Sequence, residues 1–209
     1  MGLQLKRKTI LDIIAIFFVK KTANCFWEIA DAFSSQNDTI TRLYNKTIGK
    51  EYEKEYEHCA LSNHSNILHI GCGAYPLTEI ILARCTKGNI VGIDKNNQSV
   101  QRGQQVIKKN KLDDRITLKY GDGLDFPVEE FDTIIVSSCS QPKDKILEHL
   151  FQKVRSHSSI IVREVDIATN DILDSIKSHP DIELKQQIRH NPFPFIEPIG
   201  WTTFCLTKK

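Results

Sequence analysis

From residue 66 onward the chain alternates short β-branched runs with helical stretches, and this alternation restricts the fold more than any other feature. Five apolar runs lie at 66–70, 89–94, 116–120, 132–137 and 159–164. Strands that alternate with helices pair in parallel, and helices then cover both faces of the sheet. Two more strands, near 181–189 and 201–207, are predicted to be antiparallel because their connection has no helical period. The sequence therefore predicts an α/β fold with a doubly wound, mostly parallel, seven-stranded sheet.

Two helical stretches precede this pattern. We predict a helix over about residues 9–33 and a second over about 39–60, the latter rich in Glu, Lys and Tyr. Together they would form an N-terminal helical arm, residues 1–60, that caps or covers the domain of residues 61–209. No linker of low complexity separates the two parts.

The apolar run Ile10–Val19 has a basic stretch before it and imitates a signal peptide. Asp12 interrupts the run, no small-residue cleavage site follows, and a membrane span needs roughly 18 to 20 apolar residues. We therefore predict a helix that covers part of the core. A position on a membrane surface and a lid over an apolar substrate are the alternatives.

Composition excludes several classes of protein. Hydrophobic residues are 40% and charged residues 26% of the 209, which are ordinary globular values, and the net charge of +2 gives no global sign of nucleic-acid binding. The six cysteines include no C-x-x-C pair, so we predict no metal site. Cys72, Cys139 and Cys205 lie in or beside apolar runs, where reduced thiols pack as small hydrophobic groups. This usage predicts a reducing, cytoplasmic localisation.

A glycine turn follows the first strand of the predicted sheet. Gly71 and Gly73 permit a tight strand-to-helix turn that a ligand can approach closely. Asp94, twenty-one residues after Gly73, ends the next strand and is placed to accept hydrogen bonds from ribose hydroxyls. Tyr75 or Pro76 fills the place of the third glycine of a dinucleotide site. This disfavours a pyrophosphate and suits a nucleoside that bears an amino-acid tail.

Two later segments lie at the same predicted edge of the sheet. Gly121, Asp122 and Gly123 follow the third strand, where an acidic side chain can receive an adenine amino group. Ser137 ends the fourth strand, at the carboxyl edge where doubly wound sheets bind ligands.

At these residues the sequence resembles the class I S-adenosylmethionine-dependent methyltransferase family, across about residues 60–209. The resemblance implies a Rossmann-like fold and S-adenosyl-L-methionine as cofactor. It places Gly71 and Gly73 on the methionine and ribose side, Asp94 on the ribose hydroxyls and Asp122 on the adenine. His69 stands where the family often has an acidic residue. The candidate cofactor-binding residues are His69, Gly71, Cys72, Gly73, Asp94, Lys95, Gly121, Asp122, Gly123 and Ser137.

The turn is also similar to that of the nicotianamine synthase family. The segment Gly71–Thr78 (GCGAYPLT) matches that family's Gly-x-Gly-x-x-Pro-Leu-Thr pattern, and Gln141-Pro142-Lys143 follows strand four. This family transfers an aminocarboxypropyl group, not a methyl group, from S-adenosylmethionine. It carries a large helical domain before the sheet, where this chain has only about sixty residues.

We predict methyl transfer to a small-molecule acceptor, with aminocarboxypropyl transfer, RNA or protein modification and a non-catalytic binding module as alternatives. Because a sulfonium activates its carbons, alignment and exclusion of water can supply much of the rate. No residue stands out as a general base; Tyr52, Tyr56 and Tyr75 are candidates and are also suited to form pocket walls. Glu51 and Glu55 lie in the same region.

The remaining expectations concern the surface. We predict no nucleic-acid partner and leave open both membrane contact through residues 9–20 and a homodimer. Lys143 and Lys145 begin a helix and are predicted to be surface charges. The segment 191–195 (NPFPF) is interpreted as a proline-stiffened loop.

Overall fold

The computed structural model describes residues 9–34, 36–59, 61, 66–191 and 200–209. The helices are α1 (Ile10–Ser34), α2 (Asp38–His58), α3 (Leu77–Cys85), α4 (Asn97–Lys109), α5 (Lys143–Lys153) and α6 (Thr169–Lys177). The strands are β1 (Ile67–Ile70), β2 (Ile90–Asp94), β3 (Ile116–Tyr120), β4 (Thr133–Val136), β5 (Ser159–Val165), β6 (Ile182–His190) and β7 (Trp201–Lys208). The segment 192–195 of the predicted loop lies outside the described residues.

The seven strands form one sheet in the order β3-β2-β1-β4-β5-β7-β6. Strands β1 to β5 pair in parallel, and β7 pairs antiparallel with both β5 and β6. The predicted fold class is confirmed. The strand order reverses between β1 and β4, and ligands of doubly wound sheets bind outside the carboxyl ends of the strands at such a point. The glycine turn follows β1, so it lies at this place.

Every residue of β1 and β4 is buried because helices cover both faces of the sheet. Ile67 and Ile161 belong to one core cluster together with Ile80 of α3. Leu68 and Val162 belong to a second cluster on the opposite face, with α5 and α6. The sheet thus separates two apolar cores, and the site lies at its edge.

The helical arm contributes to the first of these cores. Tyr44, Ile48 and Tyr56 of α2 are buried in the cluster that contains Ile67, and Trp27 of α1 packs against it. The side chain of Asn37 caps α2 by accepting the backbone N–H groups of Thr39 and Ile40. The arm therefore packs as part of the main structure.

One face of α1 lies away from the core. Ile10, Ile14, Phe17 and Phe18 are between 46% and 77% exposed, although Ala23 of the same helix packs against Val165. None of the described helices combines the length and apolarity that crossing a bilayer requires.

Two expectations about single residues are wrong. Cys205 forms a disulfide with Cys59, at the end of α2, and is not a free thiol. Their Cα atoms lie 5.7 Å apart, within the usual range for a disulfide. Disulfides are typical of oxidising compartments, so the cysteines no longer support the predicted reducing localisation. Lys143 is the second correction: its side chain is buried, whereas Lys145 is exposed as predicted.

Candidate functional site

A cavity of about 410 Å³ opens at the carboxyl ends of β1, β2 and β4. Its volume lies in the range typical of small-molecule sites. All ten residues predicted to bind a cofactor line it: His69, Gly71, Cys72, Gly73, Asp94, Lys95, Gly121, Asp122, Gly123 and Ser137. The structure thus brings together four segments that are far apart in the sequence.

The glycine turn is held by the carboxylate of Asp94. Oδ2 of Asp94 accepts the backbone N–H of Gly73 at 3.0 Å, and Oδ1 accepts that of Asn96 at 2.8 Å. A carboxylate oxygen can accept more than one hydrogen bond, so each oxygen keeps capacity for a ligand hydroxyl. The predicted partner of the turn is therefore in hydrogen-bond contact with it.

Gly71 has a local reason to be glycine. Its φ of +89° is in the left-handed region, and an added Cβ would lie 2.4 Å from Oγ of Ser140. Ser140 in turn donates its hydroxyl to the carbonyl of Ile70 at 2.9 Å. A side chain at residue 71 would therefore strain the backbone and displace the loop that follows β4.

A buried chain of hydrogen bonds lies beneath the turn. His69 bonds Glu79 through Nδ1 at 2.7 Å and Ser137 through Nε2 at 2.9 Å. The Ser137 hydroxyl donates to the carbonyl of Gly71 at 3.0 Å. Both nitrogens of His69 thus have protein partners, and the acidic group at this place comes from Glu79 of α3.

The second glycine segment is fixed by packing. An added Cβ on Gly121 would lie 2.9 Å from Phe126, and one on Gly123 would lie 2.6 Å from Ile70. Between them, Oδ1 of Asp122 accepts the backbone N–H of Leu124 at 3.1 Å. The turn presents Asp122 to the cavity in a defined orientation.

Aromatic rings line another part of the cavity. We call it the aromatic end and define it by Trp27, Tyr44, Tyr52, Tyr75 and Trp201. The Trp201 ring centroid lies 6.1 Å from that of Trp27 and 5.8 Å from that of Tyr52, both in edge-on contact. Trp27, Tyr44 and Tyr52 come from the arm, so α1 and α2 complete the cavity.

A buried ion pair supports the aromatic end. Arg163 of β5 donates to Glu55 of α2 through Nε at 3.0 Å and Nη2 at 2.7 Å. Thr203 of β7 donates at 2.5 Å to Oε2 of Glu55, the oxygen that also accepts Nε of Arg163. Burial acts to lower the pKa of Arg163, but Glu55, Tyr52 and Tyr56 outweigh it and hold this pKa well above its ordinary value.

The three tyrosine candidates have different surroundings. Tyr52 lines the cavity and has the Arg163 guanidinium carbon 3.8 Å from its ring centre. The Tyr75 hydroxyl accepts Nδ2 of Asn45 at 2.6 Å. Tyr56 is buried outside the described cavity lining, and its hydroxyl accepts Nη2 of Arg163 at 3.0 Å. Because burial raises the pKa of Tyr56 well above its ordinary value, this residue is poorly suited to accept a proton.

Lys143 lies behind the wall that Ser137 forms. Its ammonium group donates to the carbonyls of Ser137 and, at 3.1 Å, of Arg163. Burial lowers the pKa of Lys143 from 10.5 to about 8. The residue joins the end of β4 to β5, which explains why it is not a surface charge.

Sequence reasoning missed Trp27, Tyr44, Glu79, Arg163 and Trp201. Two of them have a sequence feature that could have identified them. Arg163 lies in a run predicted to be a central strand, where a charged side chain has to be buried and paired. Glu79 is the acidic residue of an otherwise largely apolar nine-residue helix. The three aromatic residues carry no comparable signal, because a buried ring is the ordinary state of such side chains.

Comparison with known proteins identifies similar sequences. A family model described as a methyltransferase domain matches residues 61–193, more than half of the chain. The chain is 30% identical over 105 residues to a ribosomal protein L11 methyltransferase of Burkholderia thailandensis, covering 48% of this chain and 33% of that protein. It is 32% identical over 103 residues to a sterol 24-C-methyltransferase of Clavispora lusitaniae, covering 46% and 27%. The matches thus span about a third of the length of these curated relatives.

Solved structures share the fold at lower identity. The nicotianamine synthase MtNAS in complex with S-adenosylmethionine superposes with a TM-score of 0.71 at 17% identity, covering 93% of this chain and 77% of that one. The [4+2]-cyclase SpnF superposes with a TM-score of 0.62 at 13% identity, covering 76% and 80%. The first likeness leaves only about 7% of this chain uncovered, so it includes most of the helical arm.

Proposed function

We propose that this chain, which belongs to the methyltransferase-domain family, transfers a methyl group from S-adenosyl-L-methionine to a small-molecule acceptor. One observation carries the proposal. The Asp94 carboxylate is hydrogen-bonded to the glycine turn within a cavity that all ten predicted cofactor-binding residues line. The family match confirms the predicted class I family and its cofactor. The activity of the whole protein and the identity of the acceptor are proposals.

The residues present fit this cofactor. Asp94 keeps acceptor capacity for two ribose hydroxyls, and Gly71 and Gly73 have no side chain that would block a ligand. Asp122 is presented to the cavity and can accept an adenine amino group. We assign the nucleoside to these residues. His69 is assigned the role of holding the turn, because Glu79 and Ser137 occupy both of its nitrogens.

The proposed mechanism depends on how the cavity positions the cofactor and the acceptor relative to each other. When bound, S-adenosylmethionine supplies a carbon that its sulfonium makes electrophilic. The task of the chain is then to align an acceptor atom with that carbon and to exclude water. The aromatic end lies in the same cavity as the glycine turn and suits this task, since its rings form an apolar wall around an acceptor. No proton transfer is assigned to Tyr56, and Tyr52 and Tyr75 act as wall residues.

We also propose the domain organisation from the sequence: a helical arm over 1–60 and a cofactor-binding domain over 61–209. Three residues of α1 and α2 in the cavity lining support it: Trp27, Tyr44 and Tyr52. In this arrangement the domain binds the cofactor and the arm completes the acceptor site.

Aminocarboxypropyl transfer is the second candidate. The observation that favours it is the likeness to MtNAS, which extends over most of the arm, whereas SpnF covers 76% of the chain. Identity of 17% supports a shared fold and no shared reaction.

One experiment separates the two reactions. The full chain is incubated with S-adenosylmethionine and a small-molecule extract, and the adenosyl product is identified by mass spectrometry. Methyl transfer leaves S-adenosylhomocysteine, whereas the alternative leaves methylthioadenosine. Calorimetry with S-adenosylhomocysteine provides the basic test, and a lack of measurable binding would contradict the proposal.

Partners other than the acceptor also belong to the proposal. The exposed residues Ile10, Ile14, Phe17 and Phe18 of α1 support contact with an apolar surface, either a membrane or a second copy. Cosedimentation with vesicles and light scattering at several protein concentrations test these two possibilities. A cytoplasmic localisation stays a prediction, and mapping of the Cys59–Cys205 disulfide in protein from its natural compartment tests it.

A further inference from the structure

We propose that the aromatic end of the cavity binds a planar aromatic acceptor that carries an oxyanion, a carboxylate or a phenolate. This inference rests on the proposed function, because it names the acceptor class of that same site. It depends on three features of the aromatic end: its rings, an unpaired N–H group and a buried guanidinium.

The rings favour a flat and largely apolar ligand. Tyr52 lies on α2, and Tyr75 lies in the turn between β1 and α3. The ring centroid of Tyr75 is 6.0 Å from that of Tyr44. Aromatic side chains bind other rings by offset or edge-on contact with centroids about 4.5–7 Å apart. A planar acceptor can extend the cluster by contacts of the same kind.

The unpaired group is the indole N–H of Trp201. Trp201 is 4% exposed and lines the cavity, and its Nε1 has no hydrogen-bond partner among the residues that the structure describes. A buried donor without a partner is unfavourable, because it has lost its hydrogen bond to water and gained none in the protein. An indole nitrogen can only donate, so the ligand group that satisfies it is an oxygen or another acceptor.

The guanidinium of Arg163 gives the same preference. Its donors reach Glu55, Tyr56 and Thr78, and Nη1 makes one of these bonds, to Thr78 at 2.8 Å. Arginine has five N–H groups, so among the described residues one on Nη1 is left for a further acceptor. Arg163 lines the cavity, whereas Glu55 is fully buried outside the described lining.

The charge distribution disfavours a cationic acceptor. An aromatic site can bind an ammonium group over a ring face. Here the face of Tyr52 already has Arg163 at 3.8 Å. The oxygens of Glu55 accept from Arg163 and Thr203. The aromatic end therefore offers N–H donors of Arg163 and Trp201, which suit an oxyanion.

The test uses the two tryptophans of the chain, Trp27 and Trp201, since both line the cavity. Protein saturated with S-adenosylhomocysteine is titrated with benzoate and, separately, with benzylamine, and tryptophan fluorescence is followed. We expect saturable quenching by benzoate and at least about tenfold weaker binding of benzylamine.

Trp201→Phe keeps an aromatic ring and removes the N–H group, and Trp27 remains as the reporter. We expect this variant to bind benzoate about tenfold more weakly. The control variant Phe33→Leu changes an exposed ring of α1 outside the cavity lining and should retain the affinity within about twofold. Circular dichroism establishes that each variant is folded.

Equal or stronger binding of benzylamine by the wild type, or no binding of benzoate, would overturn the inference. Both titrations use the wild type, so they test the inference even if a variant fails to fold. An unchanged affinity in folded Trp201→Phe would also overturn it. Calorimetry distinguishes failure of this inference from failure of the proposed function. If S-adenosylhomocysteine binds and benzoate does not, only this inference fails. If S-adenosylhomocysteine does not bind, the proposed function fails and the inference falls with it.

Discussion

The two ends of the cavity are built in different ways. At the cofactor end, the short turns after β1, β2 and β3 make the site with main-chain groups and the carboxylates of Asp94 and Asp122, and the central hydrogen bond joins Gly73 and Asp94. At the aromatic end, side chains from α1, α2, β5 and β7 meet, and the Glu55–Arg163 pair spans 108 residues of sequence. The first end depends on the geometry of short turns, and the second depends on tertiary packing.

This difference predicts that substitutions at the two ends have different effects. A substitution at the cofactor end should reduce ligand binding in a protein that stays folded. A substitution in the network behind the aromatic end should reduce stability first, because buried charges lose their partners. The four predictions below test this distinction, beginning with the largest expected effect.

Glu55→Gln should lower the free energy of unfolding by roughly 3–5 kcal/mol, because it leaves the guanidinium of Arg163 buried without its charge partner. Urea unfolding measures the change. The double variant Glu55→Leu with Arg163→Met removes both charges and should recover part of the loss. If Glu55→Gln is as stable as the wild type, the pair does not support the aromatic end and the comparison fails.

Asp94→Ala should weaken the binding of S-adenosylhomocysteine about a hundredfold, since it removes the acceptors for two ribose hydroxyls, an effect of about 3 kcal/mol. Calorimetry measures the affinity. Glu129→Ala, an exposed carboxylate with main-chain hydrogen bonds, is the control and should bind normally. Undiminished affinity in Asp94→Ala would count decisively against the cofactor site.

Gly71→Ala should cost about 2 kcal/mol of stability and weaken binding as well, because φ is +89° and the new Cβ meets Ser140. Gly49→Ala is the matched control in α2. Its Cβ would lie 3.2 Å from the terminal methyl of Ile81, a group that can shift, and alanine favours the helix. Thermal unfolding and calorimetry compare the two variants, and equal effects would show that the turn is not specially constrained.

Lys143 should make stability depend on pH. Its pKa is about 8 in the folded chain and 10.5 when unfolded, so the folded chain holds this proton less tightly. The resulting penalty is complete well below pH 8 and disappears as the pH rises from 8 to 10.5. Between about pH 7 and pH 9 the wild type should gain about 1 kcal/mol relative to Lys143→Met.

Urea unfolding at several pH values measures this slope. Lys145→Met is the control, because Lys145 is exposed on the same helix and should leave the slope unchanged. Parallel slopes for the wild type and Lys143→Met would contradict the burial of this ammonium group.

The same contrast explains what could be predicted from the sequence. The boundaries of β3 agree with the prediction to the residue, because periodicity and bounding residues act locally. The ten cofactor candidates meet in one cavity because the carboxyl ends of parallel strands share an edge.

The aromatic end could not be predicted in this way. Trp27 and Trp201 are brought together by the packing of α1 on the β7 side of the sheet, and neither periodicity nor a motif encodes that contact. Tyr56 is a candidate because the sequence places it, like Tyr52, near the predicted cleft. Only the structure reveals that Arg163 engages its hydroxyl. Likewise, in the sequence Lys143 resembles any charged residue at the start of a helix. Its contacts with the carbonyls of Ser137 and Arg163 are visible only in the structure.

The covalent bond between Cys59 and Cys205 fastens the carboxyl-terminal end of α2 to β7, the strand beside the edge strand β6. The carboxyl-terminal end of α2 therefore cannot move away from β7 while the disulfide is intact.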